Sequence, residues 1–559
     1  MDCKVVSTLI DLPVDEAFDY AADSNNLMPG HRVRVNFAGK RVIGIVSSLD
    51  RRAPKRDIKK IISLLDEGGR WFSELDLAWL NSLSKDCWVS WGEMVFSALP
   101  VELRSGKWQD FPSQEIRPNK RDGEVIEYYE DLPEFRRFVK NTLKEAKFRI
   151  ALWIVESKFR VNELVTRIER EISIPVMGFY QGIGRDRLRQ IIRAVNQGPV
   201  LIIGTRHLAF WPMVKNEVIF VEDAWLDVYR QEVMPKYDLN SVLTKRVKYS
   251  GGKLFLHKVQ PDPDSEIIPV QAKEHPLLPA FVEEEFYRVL QNKGHAAVFI
   301  IGKGYAKAIR CNACKQVQSC PRCDRPYTLV RERGKDVLYC PSCSNSFPWN
   351  GRCLSCGSIS VRLSSMGAER WEKILRDRFK MNVPIFEKWL TLEDRFDLVF
   401  LIGIDNVVAI DRFYSMPLAS RFVAVASHKA KRLYVRTRFT ELVDFSGLHE
   451  RWLSLARELR LPPFGELVIL SLRSEDENEV KSKAQRLAKE LSSIIEEIPE
   501  AVLYGPYLPV ERKKRDKFYW NIDLFLPKDL PSSARASLRK IILSFRKRYR
   551  TITSVLAYS

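Results

Sequence analysis

Eight of the ten cysteines in this chain form four Cys-x-x-Cys pairs packed into 46 residues: Cys311/Cys314, Cys320/Cys323, Cys340/Cys343 and Cys353/Cys356. Such a knuckle lets two thiolates grip one metal ion from a tight turn, and two knuckles complete a tetrahedral Zn²⁺ site. Four knuckles therefore imply two ions. Sixteen residues separate the inner pairs, with Tyr327–Val330 and Asp336–Tyr339 reading as strands that turn at Gly334, the pattern of a zinc-ribbon hairpin. The inner pairs then close on each other (Cys320, Cys323, Cys340, Cys343), which leaves the outer pairs to do the same (Cys311, Cys314, Cys353, Cys356). Pairing in sequential order is the alternative, disfavoured because five residues separate Cys314 from Cys320. A disulfide framework is the other competing reading. It suits an oxidising compartment, whereas the chain opens Met1-Asp2-Cys3-Lys4 without an apolar leader and has no run of about 18 apolar residues. The expectation is a cytoplasmic protein with no membrane segment, whose thiols bind metal. No histidine lies within the cluster and all eight thiols are needed, so both ions are expected to be structural. Cys3 and Cys87 read as packing residues.

The 559 residues allow several domains, and 90 Lys and Arg against 71 Asp and Glu leave a formal charge of +19. That surplus favours a polyanion. It is concentrated in Arg51, Arg52, Lys55, Arg56, Lys59 and Lys60, in Arg512, Lys513, Lys514, Arg515 and Lys517, and in Lys540, Arg546, Lys547, Arg548 and Arg550. Any one cluster is equally a solvated face; three of them beside a zinc module point to nucleic acid.

Residues 1–104 alternate apolar and polar in short segments (Val5–Asp11, His31–Val35, Arg41–Val46), with a turn at Ala38-Gly39-Lys40 and a helical stretch at Phe72–Ser84. They predict a β-rich domain. Residues 105–124 are polar and read as a linker. From 125 the pattern becomes α/β, with buried-strand runs at Arg149–Val155, Val200–Ile203, Val218–Val221, Ala296–Ile301 and Asp397–Ile402, and a helix at Arg185–Asn196. We place one lobe at 125–248 and a second at 249–308 and 359–448, interrupted by the zinc module at 309–358. An α+β domain over 449–559 has strands at Leu467–Leu472 and Asn521–Leu526. Its helices carry Val480, Ala484, Leu487, Leu491 and Ile494, then Leu538, Ile541, Ile542 and Phe545, on one face.

These features resemble the primosomal protein N′ (PriA) family of replication-restart helicases over nearly the whole chain. The likeness rests on the cysteine order, Leu461-Pro462-Pro463-Phe464-Gly465, Asp11-Leu12-Pro13, Phe18-Asp19-Tyr20, Pro29-Gly30 through Phe37, Gly204-Thr205-Arg206 and Gly304-Tyr305-Ala306. It implies two RecA-like lobes and a pocket of Phe18, Asp19, Gly39 and Lys59 that takes a DNA 3′ end. An aromatic could stack on the last base, a carboxylate accept from the 3′-hydroxyl and a lysine meet phosphate. An ordinary β-domain with a Phe-Asp-Tyr turn is the competing reading. The resemblance further implies DNA contacts at Arg206 and in the aromatic segment Tyr229–Tyr237.

Three departures concern the same chemistry. Phosphate-binding helicases carry Gly-x-x-x-x-Gly-Lys-[Ser/Thr]. No such string occurs in this chain, and the region between Asn141 and Val155 looks shortened. The family's Asp-Glu-Glu-His box is Glu222-Asp223-Ala224-Trp225, where paired acids are equally a helix cap or a solvated turn. The arginine-bearing last motif is Ser427-His428-Lys429-Ala430-Lys431. A winged helix would have only 105–124 to occupy.

The expectation is a multidomain α/β protein: a β-rich N-terminal DNA-binding domain, two degenerate RecA-like lobes with a two-zinc insertion built on two sets of four cysteines, and an α+β C-terminal domain. The resemblance implies binding to forked or branched DNA and single-stranded DNA. It also implies partners in the replicative helicase or its loader and in single-strand-binding protein, while the three departures imply no ATPase activity and no catalytic residues. The rivals are an active ATP-dependent 3′–5′ helicase and a zinc-ribbon adaptor for RNA or protein.

Overall fold

A computed structural model describes residues 4–22, 26–50, 58–113, 123–145, 148–215, 217–231, 233–272, 279–301, 306, 308–332, 334–364, 368–379, 383–387, 389–392, 394–409, 414–549 and 552–558. Arg51, Arg52, Lys55, Arg56, Gly304, Tyr305 and Arg550 lie outside these.

Five antiparallel strands form the N-terminal sheet in the order Phe18–Ala22, Lys4–Leu9, Lys40–Asp50, Arg32–Phe37, Ser63–Leu64. Helices Glu74–Asp86 and Trp91–Ala98 follow. Each opens with a reciprocal capping box, Ser73 with Asp76 and Ser90 with Glu93, which satisfies donors that a helix start leaves unpaired. Residues 105–113 are not a linker. Trp108 is 1% exposed, and its backbone bonds to Leu65 and Glu67 on both sides, so this stretch completes the N-terminal unit. Two aromatics, Trp108 and Phe111, among polar residues gave no periodicity to read; residues 114–122 lie outside the described set.

The first α/β unit is a six-stranded parallel sheet in the order Glu124–Tyr128, Lys253–His257, Val218–Val221, Ile150–Ile154, Val200–Gly204, Val176–Phe179. The strand Lys253–His257 carries this unit past the expected boundary at 248. Alternation along one fully buried strand shows why both faces are covered. Ile150, Leu152 and Ile154 enter a core with helices Arg185–Gln197 and Leu239–Ser250, while Ala151, Trp153 and Val155 enter another with helices Leu132–Glu145 and Lys158–Ile168.

The second unit repeats the plan with five parallel strands: Glu266–Gln271, Ala430–Thr437, Phe396–Ile402, Ala296–Ile300 and Ile385–Phe386. The cysteine module is inserted between strand Ala296–Ile300 and helix Ala368–Phe379.

In the C-terminal unit the antiparallel strands Val502–Tyr507, Lys517–Pro527, Gly465–Ser474 and Ile552–Tyr558 carry helices Glu477–Ile495 and Ser532–Tyr549. Val480, Ala484, Leu487 and Leu491 are buried and Ile494 packs at the margin. This unit docks on the N-terminal one. Trp88 enters its core and donates from Nε1 to Glu466 (2.6 Å), Arg539 meets Asp15 (2.7 Å) and Arg546 meets Glu93 (2.6 Å). Arg546, expected among the DNA-facing cations, is instead an interdomain ion pair. Among the described residues no helix is long and apolar enough to cross a membrane.

Candidate metal centres and nucleic-acid interface

The four knuckles are built alike. In each, the N–H of the first cysteine donates to the carbonyl five residues on: Cys311 to Gln316, Cys320 to Arg325, Cys340 to Asn345 and Cys353 to Ser358, at 2.8–2.9 Å. The residue after each second cysteine is left-handed, at Lys315 (φ 63°), Asp324 (φ 53°), Ser344 (φ 61°) and Gly357 (φ 73°). That twist turns both thiols of a pair to one side. The ribbon has the expected register, Leu329 opposite Leu338 and Val330 opposite Val337, with Gly334 (φ 79°) at its turn. A third strand, Ser346–Pro348, had no alternation to announce it. Strands Ala308–Cys311 and Val361–Ser364 pair and bring the outer knuckles together.

Two groups of four thiols result, Cys311, Cys314, Cys353 and Cys356, and Cys320, Cys323, Cys340 and Cys343, each with all sulfurs within 4.8 Å of one another. Sγ–Sγ separations are 3.6 Å (Cys311–Cys356), 3.7 Å (Cys314–Cys353) and 3.8 Å (Cys320–Cys343). A disulfide would need about 2.05 Å. The edge of a tetrahedron with metal–sulfur bonds of ~2.3 Å is ~3.8 Å, so the donor set fits a tetrahedral thiolate-bound ion such as zinc. The electrostatics agree. Backbone N–H groups of Cys356 and Ser355 pull Cys353 down to about 6, whereas burial, then neighbouring Cys343 and Cys320, push Cys340 up to about 12. A divalent cation would hold all four sulfurs of a group as thiolates. Gln318, absent from the sequence reading, is 1% exposed and donates from Nε2 to Cys353 Sγ (3.2 Å).

In the N-terminal sheet Phe18 lies edge-on to Phe37 (4.7 Å between centroids), and Phe37 leads into the Ala38-Gly39 turn (φ 46° and 80°). Two successive left-handed residues make the tight turn that suits strand twist, and Gly39 has open space around it. Asp19 is exposed and accepts from Ser7 Oγ (2.8 Å). The carbonyl of Lys59 accepts from Ala21 N–H (2.9 Å), which runs Lys59 alongside the strand of Phe18 and Asp19. Phe18 and Asp19 thus lie on one strand, with Lys59 bonded beside it at Ala21 and Gly39 in the turn that follows Phe37.

Arg206, Tyr229 and Tyr237 come together in a cleft of about 520 Å³ at the C-terminal ends of the first parallel sheet, with Arg104, Lys158, Thr205, Asp11, Glu93 and Glu156. Arg206 is held by Gln231 (3.0 Å) and the Val228 carbonyl (3.1 Å). The tyrosines depart from expectation. Tyr229 is 1% and Tyr237 5% exposed, and the Tyr229 hydroxyl donates to the Glu222 carbonyl (2.8 Å). Neither ring presents a face on which a base could stack; aromatic periodicity in a loop does not distinguish a platform from a plug.

Glu222 is neither cap nor solvated turn. It is 1% exposed and meets Arg136 with both oxygens (2.8 and 3.0 Å), with Arg160 at 3.7 Å. Arg160 belongs to the helix that follows strand Ile150–Ile154, separated from it by Val155, Glu156 and Ser157 alone. Ser157 Oγ accepts the Arg160 N–H (3.2 Å) and so occupies the start of that helix. Asp223 lies 3.2 Å from His257 Nδ1. Across the cleft, His428 bonds the Gln260 carbonyl (2.8 Å), Lys429 the Leu392 carbonyl, and Lys431 Asp397 (2.8 Å). The cavity shared by Arg136, Asp223, His257, His428 and Lys429 is about 60 Å³.

Comparison with known proteins fits this arrangement. A family model described as the PriA 3′ DNA-binding domain (3′BD) matches residues 7–100, which include Phe18, Asp19, Gly39 and Lys59. The chain is 20% identical to the replication restart protein PriA of Borreliella burgdorferi, with 83% of this chain and 84% of that one covered. It is 19% identical to that of Haemophilus influenzae, with 97% of each covered. That alignment runs over 722 positions, more than the 559 residues here, so segments of the relative have no counterpart. A 24% match to the Bacillus subtilis protein covers 38% of this chain. Matches that run nearly end to end, with the N-terminal domain falling on its own family model, make this chain similar over most of its length to the PriA replication restart proteins.

Proposed function

We propose that this protein binds forked or branched DNA and single-stranded DNA at stalled replication forks and promotes reloading of the replicative helicase, without hydrolysing ATP. The match of residues 7–100 to a 3′ DNA-binding domain carries the DNA reading. Phe18, Asp19, Gly39 and Lys59 would receive the 3′ end, and the charge of +19 would supply much of the affinity through phosphate contacts. Arg206 would contribute a further phosphate contact from the 520 Å³ cleft. Two zinc ions in the four-cysteine groups would hold the inserted module rigid, their role being structural because four thiolates leave no open position. Partners would be the replicative helicase or its loader, and single-strand-binding protein.

The absence of turnover is supported by what fills the phosphate positions. In a RecA-like pair of lobes, nucleotide sits at the end of the strand that precedes the phosphate-binding helix. Here that place holds the Glu222–Arg136 pair. The cations of the last motif are paired elsewhere, and the cavity they share with Arg136 is about 60 Å³, against ~300 Å³ or more for a ligand pocket, while the strand–helix junction Glu156, Ser157 and Lys158 opens on the 520 Å³ cleft. The lobes would persist as a scaffold that spaces the DNA-binding and zinc units.

The test is binding and hydrolysis measured together on a labelled fork with a free 3′ end. Fork binding that weakens steeply with salt, and no phosphate release above background, is the expected result. DNA-stimulated release would overturn the non-enzymatic part. In the same assay Asp19→Ala should reduce the preference for a 3′-hydroxyl over a 3′-phosphate end severalfold. Equal preference in variant and parent would remove Asp19 from the pocket.

A further inference from the structure

The second cysteine group is walled by another domain. Strand Lys513–Lys514 pairs with the start of strand Lys517–Pro527, and the turn between them, Arg515 (φ 52°) and Asp516 (φ 64°), lies against the knuckle of Cys320 and Cys323. Every residue from Pro321 to Arg325 bonds this hairpin. Lys513 Nζ donates to the Pro321 carbonyl (2.9 Å), and Arg322 is bound twice, by Asp516 N–H at its carbonyl (2.9 Å) and by the Asp516 carboxylate at Nε (2.7 Å). Arg512 meets Asp324 (3.4 Å) and Glu511 meets Arg325 (2.7 Å). The Arg515 N–H donates to the Cys323 sulfur itself (3.4 Å).

The sequence reading took this hairpin for a DNA-facing basic cluster. Its chemistry suits a metal thiolate better. Four thiolates around one Zn²⁺ carry a net charge of −2, and the hairpin brings Arg512, Lys513, Lys514, Arg515 and Lys517 together with an N–H aimed at sulfur. Hydrogen bonds to ligating sulfur, and the groups that orient ligands, set how tightly a site holds its ion. The other group differs: its side-chain donor to sulfur is Gln318, within the module.

We infer that the C-terminal hairpin is a positioning element of the Cys320–Cys343 metal site, so that retention of that ion and docking of the C-terminal domain are one linked equilibrium. The inference rests on the proposed zinc occupancy, and metal content separates the two. Fewer than two zinc ions per chain in the purified protein overturns both.

With two ions present, a colorimetric chelator is added and release followed. In the triple variant Glu511→Ala, Lys513→Ala, Asp516→Gly, no cysteine is touched, and glycine suits the left-handed position at 516. One ion per chain should leave about tenfold faster, the lower end of the range for outer ligand partners, while the other keeps its rate. Gln318→Ala should accelerate the other ion only. In the unaltered protein, metal removal should raise amide exchange at 511–517 while helix Glu477–Ile495 stays protected, which distinguishes undocking from unfolding. Unchanged release in the triple variant, or hairpin protection indifferent to metal, overturns the linkage.

Discussion

Cys320→Ser is expected to take the protein from two zinc ions per chain to one. Cys320 is fully buried, its sulfur lies 3.8 Å from Cys343, and its N–H closes the knuckle on Arg325. A serine hydroxyl keeps the shape but does not ionise near neutral pH, so the ion would keep three thiolates and lose the charge that balances the fourth position. Structural zinc contributes roughly 10–16 kcal/mol of apparent binding energy in small zinc domains, so loss of the site should also loosen the ribbon around it. The outer group should keep its ion, because its ligands come from the other two knuckles and its strands Ala308–Cys311 and Val361–Ser364 pair independently. Metal content by mass spectrometry reads the result directly. Two ions in the variant would refute Cys320 as a required ligand, and none would show that the two groups fold as one.

The metal groups were legible because spacing alone dictates them: a two-residue gap fixes a knuckle, and a ribbon between the inner pairs fixes who meets whom. Five central strands of the two parallel sheets were legible for a related reason, since burial on both faces leaves runs such as Val200–Ile203 with no polar positions. What sequence did not disclose depends on partners distant in the chain. Gln318 is one polar residue among several until the fold sets it on Cys353. Arg512–Lys517 and Arg546 read as unpaired, DNA-facing cations because their counter-charges lie 188 residues away at Asp324 and 453 away at Glu93. The tyrosines at 229 and 237 failed similarly, since an aromatic loop has the same composition folded inward or outward. Glu124–Tyr128, Val176–Phe179 and Lys253–His257 were missed as strands of the first sheet because, in a parallel sheet, their partners are far away in sequence.

Arg136→Ala should destabilise the first α/β unit by about 3–5 kcal/mol, the usual effect of leaving one partner of a buried ion pair alone. Glu222 is 1% exposed and Arg136 5%. Burial pushes the Glu222 carboxyl up and the Arg136 guanidinium draws it back down, so removing Arg136 leaves burial, reinforced by Asp223, opposed by His257, with Arg160 at 3.7 Å. Because several domains share the chain, amide exchange in strands Val218–Val221 and Ile150–Ile154 is the better measure than a single melting temperature. Pairing Arg136→Met with Glu222→Leu should restore most of the protection, since apolar groups of similar volume replace such pairs at little net cost. Fork binding should survive in the double variant, because the pair lies away from Phe18, Asp19, Gly39 and Lys59. The same variants test the proposed loss of the motor. If the arginine merely plugged an intact site, Arg136→Ala would gain ATP affinity; with three residues between strand and helix and no glycine-rich loop to cradle phosphate, no gain is expected. A variant that did bind ATP would mean that the site is blocked by one salt bridge and not dismantled.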